Sequence, residues 1–201
     1  MADIKEGKLL YHFTALENLP KILSSQLLPR EQLQDFVDVA DKEILTGREQ
    51  HSLMSMVPFH FFANNPFDGR VCQVNSKTKF AFIVVRRVHA EAKGWKISPK
   101  HPLSGEFRLL SYADGMEETN WEVMNKRDFK TPESKNICMA ECLSPNAVSP
   151  EDIHAIYVAE DEDRIEVAKL VAEMKLRIFV ETKPFMFPKT YLGGALRKGK
   201  D

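Results

Sequence analysis

Six consecutive apolar residues, Phe80-Ala81-Phe82-Ile83-Val84-Val85, lie between Lys79 and Arg86. A strand with one wet face alternates apolar and polar side chains. An unbroken run rich in β-branched and aromatic residues instead predicts a strand buried on both faces, here over 79–87. The same run is the longest apolar stretch in the chain and is far too short to cross a bilayer. Residues Met1 to Lys8 contain no apolar core of signal-peptide length. The expectation is therefore a soluble, cytoplasmic protein with no membrane segment. A chain of 201 residues can bury a core without disulfide or metal staples, which makes one domain over 1–201 the default. The net charge of -1 announces no polyanionic partner and excludes no basic groove. Cys72, Cys138 and Cys142 read as thiols of a reducing compartment.

Around that strand the pattern is α+β. Leu9 to Phe13 reads as a strand, and Thr14-x-x-Glu17 has capping-box spacing ahead of a helix from about Asn18 or Leu19 to Ser25. Leu33, Phe36, Val37, Ala40 and Ile44 recur at three- and four-residue spacing, predicting an amphipathic helix from Arg30 that stops at Gly47. Val57 to Phe62 reads as a strand, with Pro58 placing it at an edge or a strand start, closed by a turn at Asn64-Asn65-Pro66. Residues 88–135 carry prolines, glycines and charges and read as loops, interrupted by a short strand at 107–110 and a short helix at 121–126. Residues 136–143 fit a strand or a helix start. A strand at 154–159, a helix at 161–174 with Ile165, Ala168 and Val171 on one face, and a strand at 177–180 complete the reading.

Few residues announce chemistry on their own. Glu141, in Met139-Ala140-Glu141-Cys142-Leu143, is either a surface glutamate or a buried carboxylate. Desolvation would raise its pKa and suit it to proton abstraction or to holding a sugar hydroxyl. His12 is either a core histidine or a ligand-binding one, and Thr14 either caps a helix or binds. No pair of histidines and no Cys/His set has metal spacing, so no metal site is expected. No Gly-rich dinucleotide fingerprint, phosphate loop or Gly-x-Ser-x-Gly elbow is present. Basic residues cluster at Arg86, Arg87, Lys93, Lys96 and Lys100, and again at Lys126, Arg127, Lys130 and Lys135. Trp95 and Trp121 lie beside them, as a solvated face or a phosphate-tracking surface with stacking platforms.

Several segments, in order along the chain, resemble the DarT family of toxin ADP-ribosyltransferases. Tyr11-His12-Phe13-Thr14 with Asn18-Leu19 and Ile22-Leu23 is similar to the family's opening Tyr-His-x-Thr, Asn-Leu and Ile-Leu. Val57-Pro58-Phe59-His60-Phe61 with Pro66 resembles its Val-Pro-Phe-Tyr-Phe and Ser-Pro-Met. Asn120-Trp121-Glu122-Val123-Met124, Ala140-Glu141 and Pro150-Glu151-Asp152-Ile153 resemble its Asp-Trp-Glu-Val-Met, Ala-Glu and final strand. The resemblance spans roughly residues 9 to 159. Two departures are Asn64, where the family carries an arginine, and His60, where it carries a tyrosine.

The resemblance implies an ADP-ribosyltransferase-like split mixed/antiparallel sheet with flanking helices. It also implies transfer of ADP-ribose from NAD to a base of single-stranded DNA. RNA or protein as acceptor, or an inactive nucleic-acid-binding module of the same fold, are the alternatives. Glu141 would be catalytic together with Arg48, the candidate arginine at the pyrophosphate, with Arg30 as rival. His12, Thr14, Asn18, Phe59 and His60 would meet NAD, the phenylalanine and His60 as a stacking wall. His101 and Asn64 would lie toward the substrate. A macrodomain-type antitoxin partner and a toxin–antitoxin or anti-phage setting are implied as well. The chemistry matches the residues: cleaving the nicotinamide glycosidic bond builds positive charge on the ribose, which a carboxylate stabilises.

Overall fold

In the computed structural model the described residues are 3–39, 48–49, 51–105 and 107–191. Their strands are β1 (Leu9–Ala15), β2 (Val57–His60), β3 (Phe80–Arg86), β4 (Lys96–Ser98), β5 (Glu141–Ser144), β6 (Ala155–Val158) and β7 (Phe179–Thr182). They form one sheet in the order β4-β5-β2-β1-β3-β6-β7, antiparallel throughout except for the parallel β6–β7 pair. The helices are α1 (Leu19–Ser24), α2 (Pro66–Val74), α3 (Arg87–Ala92), α4 (Tyr112–Glu118), α5 (Trp121–Lys126), α6 (Pro132–Cys138) and α7 (Asp161–Glu173). The α+β class and the split, mixed sheet are as expected.

The run 80–85 is buried at every position and lies between β1 and β6. Alternate side chains feed two cores. Leu10, Phe59, Ala81, Ile83, Ile97 and Ile156 share one with residues of α1, α5 and α7. Phe13, Phe80, Phe82, Val84 and Tyr157 share the other with Val71 and Cys72 of α2 and with Phe187.

The sheet is split at its middle. β1 and β3 pair over seven positions, Leu9↔Arg86 to Ala15↔Phe80, whereas β1 and β2 share one, Tyr11↔His60. Side chains satisfy backbone along this seam: His12 Nδ1 donates to the Pro58 carbonyl at 2.8 Å and Arg87 Nη2 to the Phe61 carbonyl at 3.2 Å. Pro58 was expected at an edge or a strand start. It is instead the second residue of an interior strand, tolerated because it has no N–H to give and its neighbour β1 has already diverged.

Other expectations are corrected. Thr14 caps nothing: it lies in β1, and its hydroxyl accepts from Asn18. In place of the helix from Arg30 there is one 3-10 turn, Arg30–Gln32, and then irregular backbone through 39. Asp35 at φ 50 is left-handed and stops a right-handed helix; Ala40, Ile44 and Gly47 lie outside the described residues. Asn64-Asn65-Pro66 opens α2 rather than closing a strand, by a reciprocal capping box between Asn65 and Asp68 with Pro66 in the first turn. The stretch 88–135 is about half helical and includes the helix expected at 121–126. Ser111, Asn120 and Thr131 each cap a short helix, and these polar caps imitate loop composition. The strand at 107–110 shrinks to the isolated Ile97↔Leu110 bridge. In α7 the buried face is Asp163, Val167 and Val171, while Ile165 is exposed, because the Asp163 carboxylate receives Lys79 Nζ at 2.6 Å. Trp95 and Trp121 are buried and offer no stacking platform, and Arg87 is buried beneath the Trp121 and Phe61 rings.

The capping box stores a pH-dependent cost. Asp68 is wholly buried; Oδ2 accepts from the Asn65 N–H, and Oδ1 has no partner among the described residues. Burial pushes its pKa up to about 7. Between its ordinary value of 3.8 and about 7 the folded protein keeps a proton that the unfolded chain releases. Its stabilising contribution is therefore full below that range and lost as pH rises through it. Asp68→Asn retains the acceptor and removes the charge. The expected result is a gain on the order of 2 kcal/mol above neutral pH that vanishes near pH 4. Thermal melts across that range check it, and a gain independent of pH would contradict it.

Candidate active site

Glu141 opens β5 three residues beyond the end of α6, and the register sets it beside His60 of β2 on one side and Ser98 of β4 on the other. It is 4% exposed. Arg48, 6% exposed, reaches it from 93 residues away: Nη1 donates to Oε1 at 3.0 Å and to Oε2 at 2.7 Å, while Nη2 contacts the Leu53 carbonyl at 3.4 Å. Burial raises the Glu141 pKa, but the Arg48 guanidinium outweighs it and holds the carboxyl below its usual range. The raised value expected from desolvation alone is thus corrected: Glu141 is an anion at neutral pH, not a proton reservoir.

Two histidines face this pair as neutral rings. Burial drives His12 down to about 4 and also lowers His60. His12 Nδ1 donates to the Pro58 carbonyl and His60 Nδ1 to the Ala140 carbonyl at 3.2 Å. These carbonyl partners assign the protons to Nδ1 and leave each Nε2 as an acceptor. His101 is also buried and lowered, within electrostatic reach of Glu141 and Arg48.

A cavity opens along the seam. His12, Thr14, Asn18, Arg48, His60 and Glu141 all line it. Thr14 and Asn18 stand where β1 passes into the 3-10 turn Leu16–Asn18, and the far wall is the irregular segment 33–39. Phe59 does not line it; its ring is fully buried against Trp95, at 5.0 Å, and His12, at 5.5 Å. Asn64, exposed at φ 60, does not line it either. Sequence reasoning missed Phe67, whose ring lines the cavity 5.3 Å from His60, and the whole wall 33–39. Phe67 was legible in the Asn-Pro-x-Asp start of α2; the wall carried no signal, since its apolar spacing imitates a helix. Among the described residues no group of three or more His, Cys, Asp or Glu is placed to hold a metal ion.

A buried anion paired to one arginine, with two imidazole acceptors, can stabilise positive charge that develops between them. The Arg48 guanidinium can bind an anionic group and the imidazole nitrogens can accept from amide or hydroxyl donors.

A family model described as ssDNA thymidine ADP-ribosyltransferase, DarT, matches residues 11–188. A curated DNA ADP-ribosyl transferase–DNA ADP-ribosyl glycohydrolase fusion protein of Thermosipho africanus is 24% identical over 192 residues. The alignment covers 89% of this chain and 50% of the fusion, so the chain spans about half the length of that relative. Thermus sp. 2.9 DarT in complex with ADP-ribosylated ssDNA matches at a TM-score of 0.78 and 20% identity, over 91% of this chain and 97% of that one. The same Thermus protein with NAD+ matches at 0.75 and 19%, over 91% and 98%. Thermosipho africanus DarTG in complex with ADP-ribose matches at 0.74 and 25%, over 90% and 51%.

Proposed function

The chain belongs to the DarT family, and from that premise we propose that it transfers ADP-ribose from NAD to a base of single-stranded DNA, thymidine in the first instance. The observation that carries the reading is the buried Arg48–Glu141 pair facing His12 and Thr14 across one cavity. NAD is a substrate here. His12 Nε2 accepts from a donor on the nicotinamide side, the Thr14 hydroxyl binds beside it, and Arg48 offsets pyrophosphate charge. As the nicotinamide–ribose bond breaks, its electron pair leaves with nicotinamide and positive charge grows on the ribose, where the Glu141 carboxylate stabilises it. The base nitrogen forms the new bond to the ribose carbon, and its proton passes to Glu141. His101, within electrostatic reach of Glu141, is assigned to the acceptor base in this reading.

The fused glycohydrolase of the Thermosipho relative supports a partner that removes ADP-ribose from DNA, of macrodomain type. A cytoplasmic toxin countered by such an antitoxin, in a toxin–antitoxin or anti-phage system, is the setting that follows.

Intact mass spectrometry of matched single-stranded DNA and RNA oligonucleotides and of a protein extract, each incubated with the enzyme and NAD, tests the reading. One added ADP-ribose per thymidine-containing DNA, absent from the others, is the expected result. Addition only to RNA or protein would move the acceptor. None anywhere from folded protein would overturn the activity.

A further inference from the structure

We infer that Asn18 is a positioning residue which holds the segment 33–39 in place as the far wall of the cavity, rather than a group that touches NAD. The inference deepens the proposed function, since the cavity is the one assigned to NAD.

Asn18 immediately precedes α1, where an asparagine ordinarily caps the helix with its side chain, yet it makes no such cap. Its amide is turned the other way. Nδ2 donates to the Val37 carbonyl at 3.1 Å and to Thr14 Oγ1 at 3.2 Å, and Oδ1 accepts from the Val37 N–H at 2.9 Å. Both amide hydrogens are thereby spent, and the two bonds to one residue imitate a strand partner.

The wall belongs to no helix or strand. None of 33–39 is buried, and 34–39 make no backbone–backbone hydrogen bond among the described residues. Among the described residues it is also held by Val39, which packs against the second core, by Arg30 over the Phe36 ring, and by the ends of long side chains, Lys21 Nζ on the Gln34 carbonyl and the Arg30–Asp38 ion pair, whose ordering costs side-chain entropy and whose charges water screens. A short, half-buried amide rooted between β1 and α1 costs less to order. Leu33, Phe36 and Val37 on that wall line the cavity. Through Thr14 the same amide also fixes the hydroxyl rotor: Oγ1 accepts from Asn18 and keeps its own hydrogen for a ligand.

The test compares wild type with Asn18→Ala and Asn18→Asp, the latter keeping the acceptor while losing both donors. Hydrogen exchange on the ligand-free protein, with β3 and β6 as the internal reference, is paired with calorimetric titration of NAD. In Asn18→Ala the Leu33 and Val37 amides, the two of the segment with an acceptor among the described residues, are expected to exchange at least about tenfold faster with the reference unchanged, and the Kd for NAD to rise about tenfold, as loss of two or three ordinary hydrogen bonds allows. Asn18→Asp is expected to lie between. Weaker NAD binding with unchanged exchange would overturn the inference in favour of direct contact, and faster exchange with unchanged Kd would overturn it by detaching the wall from the NAD site. Exchange is read without NAD, so a wild type that transfers nothing would sink the proposed function and leave this role still decided.

Discussion

Glu141→Gln is expected to lower the rate of transfer to single-stranded DNA by about 10³-fold or more while leaving NAD affinity within about tenfold of wild type. The side chain keeps its volume and one oxygen for Arg48, whose Nη1 now bonds both carboxylate oxygens. What it loses is the negative charge that meets the developing ribose cation and the basicity that takes the proton. The change also leaves a buried guanidinium without its counter-ion, so a loss of stability of roughly 1–3 kcal/mol should accompany it, and the assay belongs well below the melting temperature. Oligonucleotide mass spectrometry reads the rate and calorimetry the affinity. A folded Glu141→Gln protein with wild-type turnover would remove Glu141 from the mechanism.

Arg48→Ala should cost about 10² to 10³-fold, with a signature that separates it from Glu141→Gln. Arg48 holds the Glu141 pKa down against burial. Without it, burial dominates and the carboxyl moves above its usual range, so residual activity should climb with pH as Glu141 ionises, whereas the wild type is already ionised at neutral pH. Arg48→Lys should recover part of the rate and most of the pH profile, since it restores the charge without the planar fork. A loss equally deep at every pH would show that Arg48 does not act through Glu141.

What was legible in the sequence follows from how local each signal is. The 80–85 run declared an interior strand because burial on both faces leaves no polar position. Residues of β1 and β2 were recognisable as a set, yet neighbours along a strand point to opposite faces: His60 reaches the cavity while Phe59 joins the core. Charge interactions between distant segments were not legible. A carboxylate among apolar residues reads as one with a raised pKa, and the arginine that reverses the sign enters from 93 residues away. The helix from Arg30 failed for a related reason. The apolar spacing of Leu33, Phe36 and Val37 serves a cavity wall, and the backbone turn at Asp35 that prevents a helix leaves no trace in periodicity.

The seam between β1 and β2 divides the molecule into two banks that meet at one register position. One bank supplies His12, Thr14 and Asn18; the other supplies His60 and Glu141, and carries the loop with His101 that follows β4. Because so little ladder crosses between them, a substitution on the second bank, such as at His60, disturbs few of the backbone bonds that shape the first. In the proposed reaction, choice of acceptor can therefore change on one bank while the residues on the other keep their arrangement.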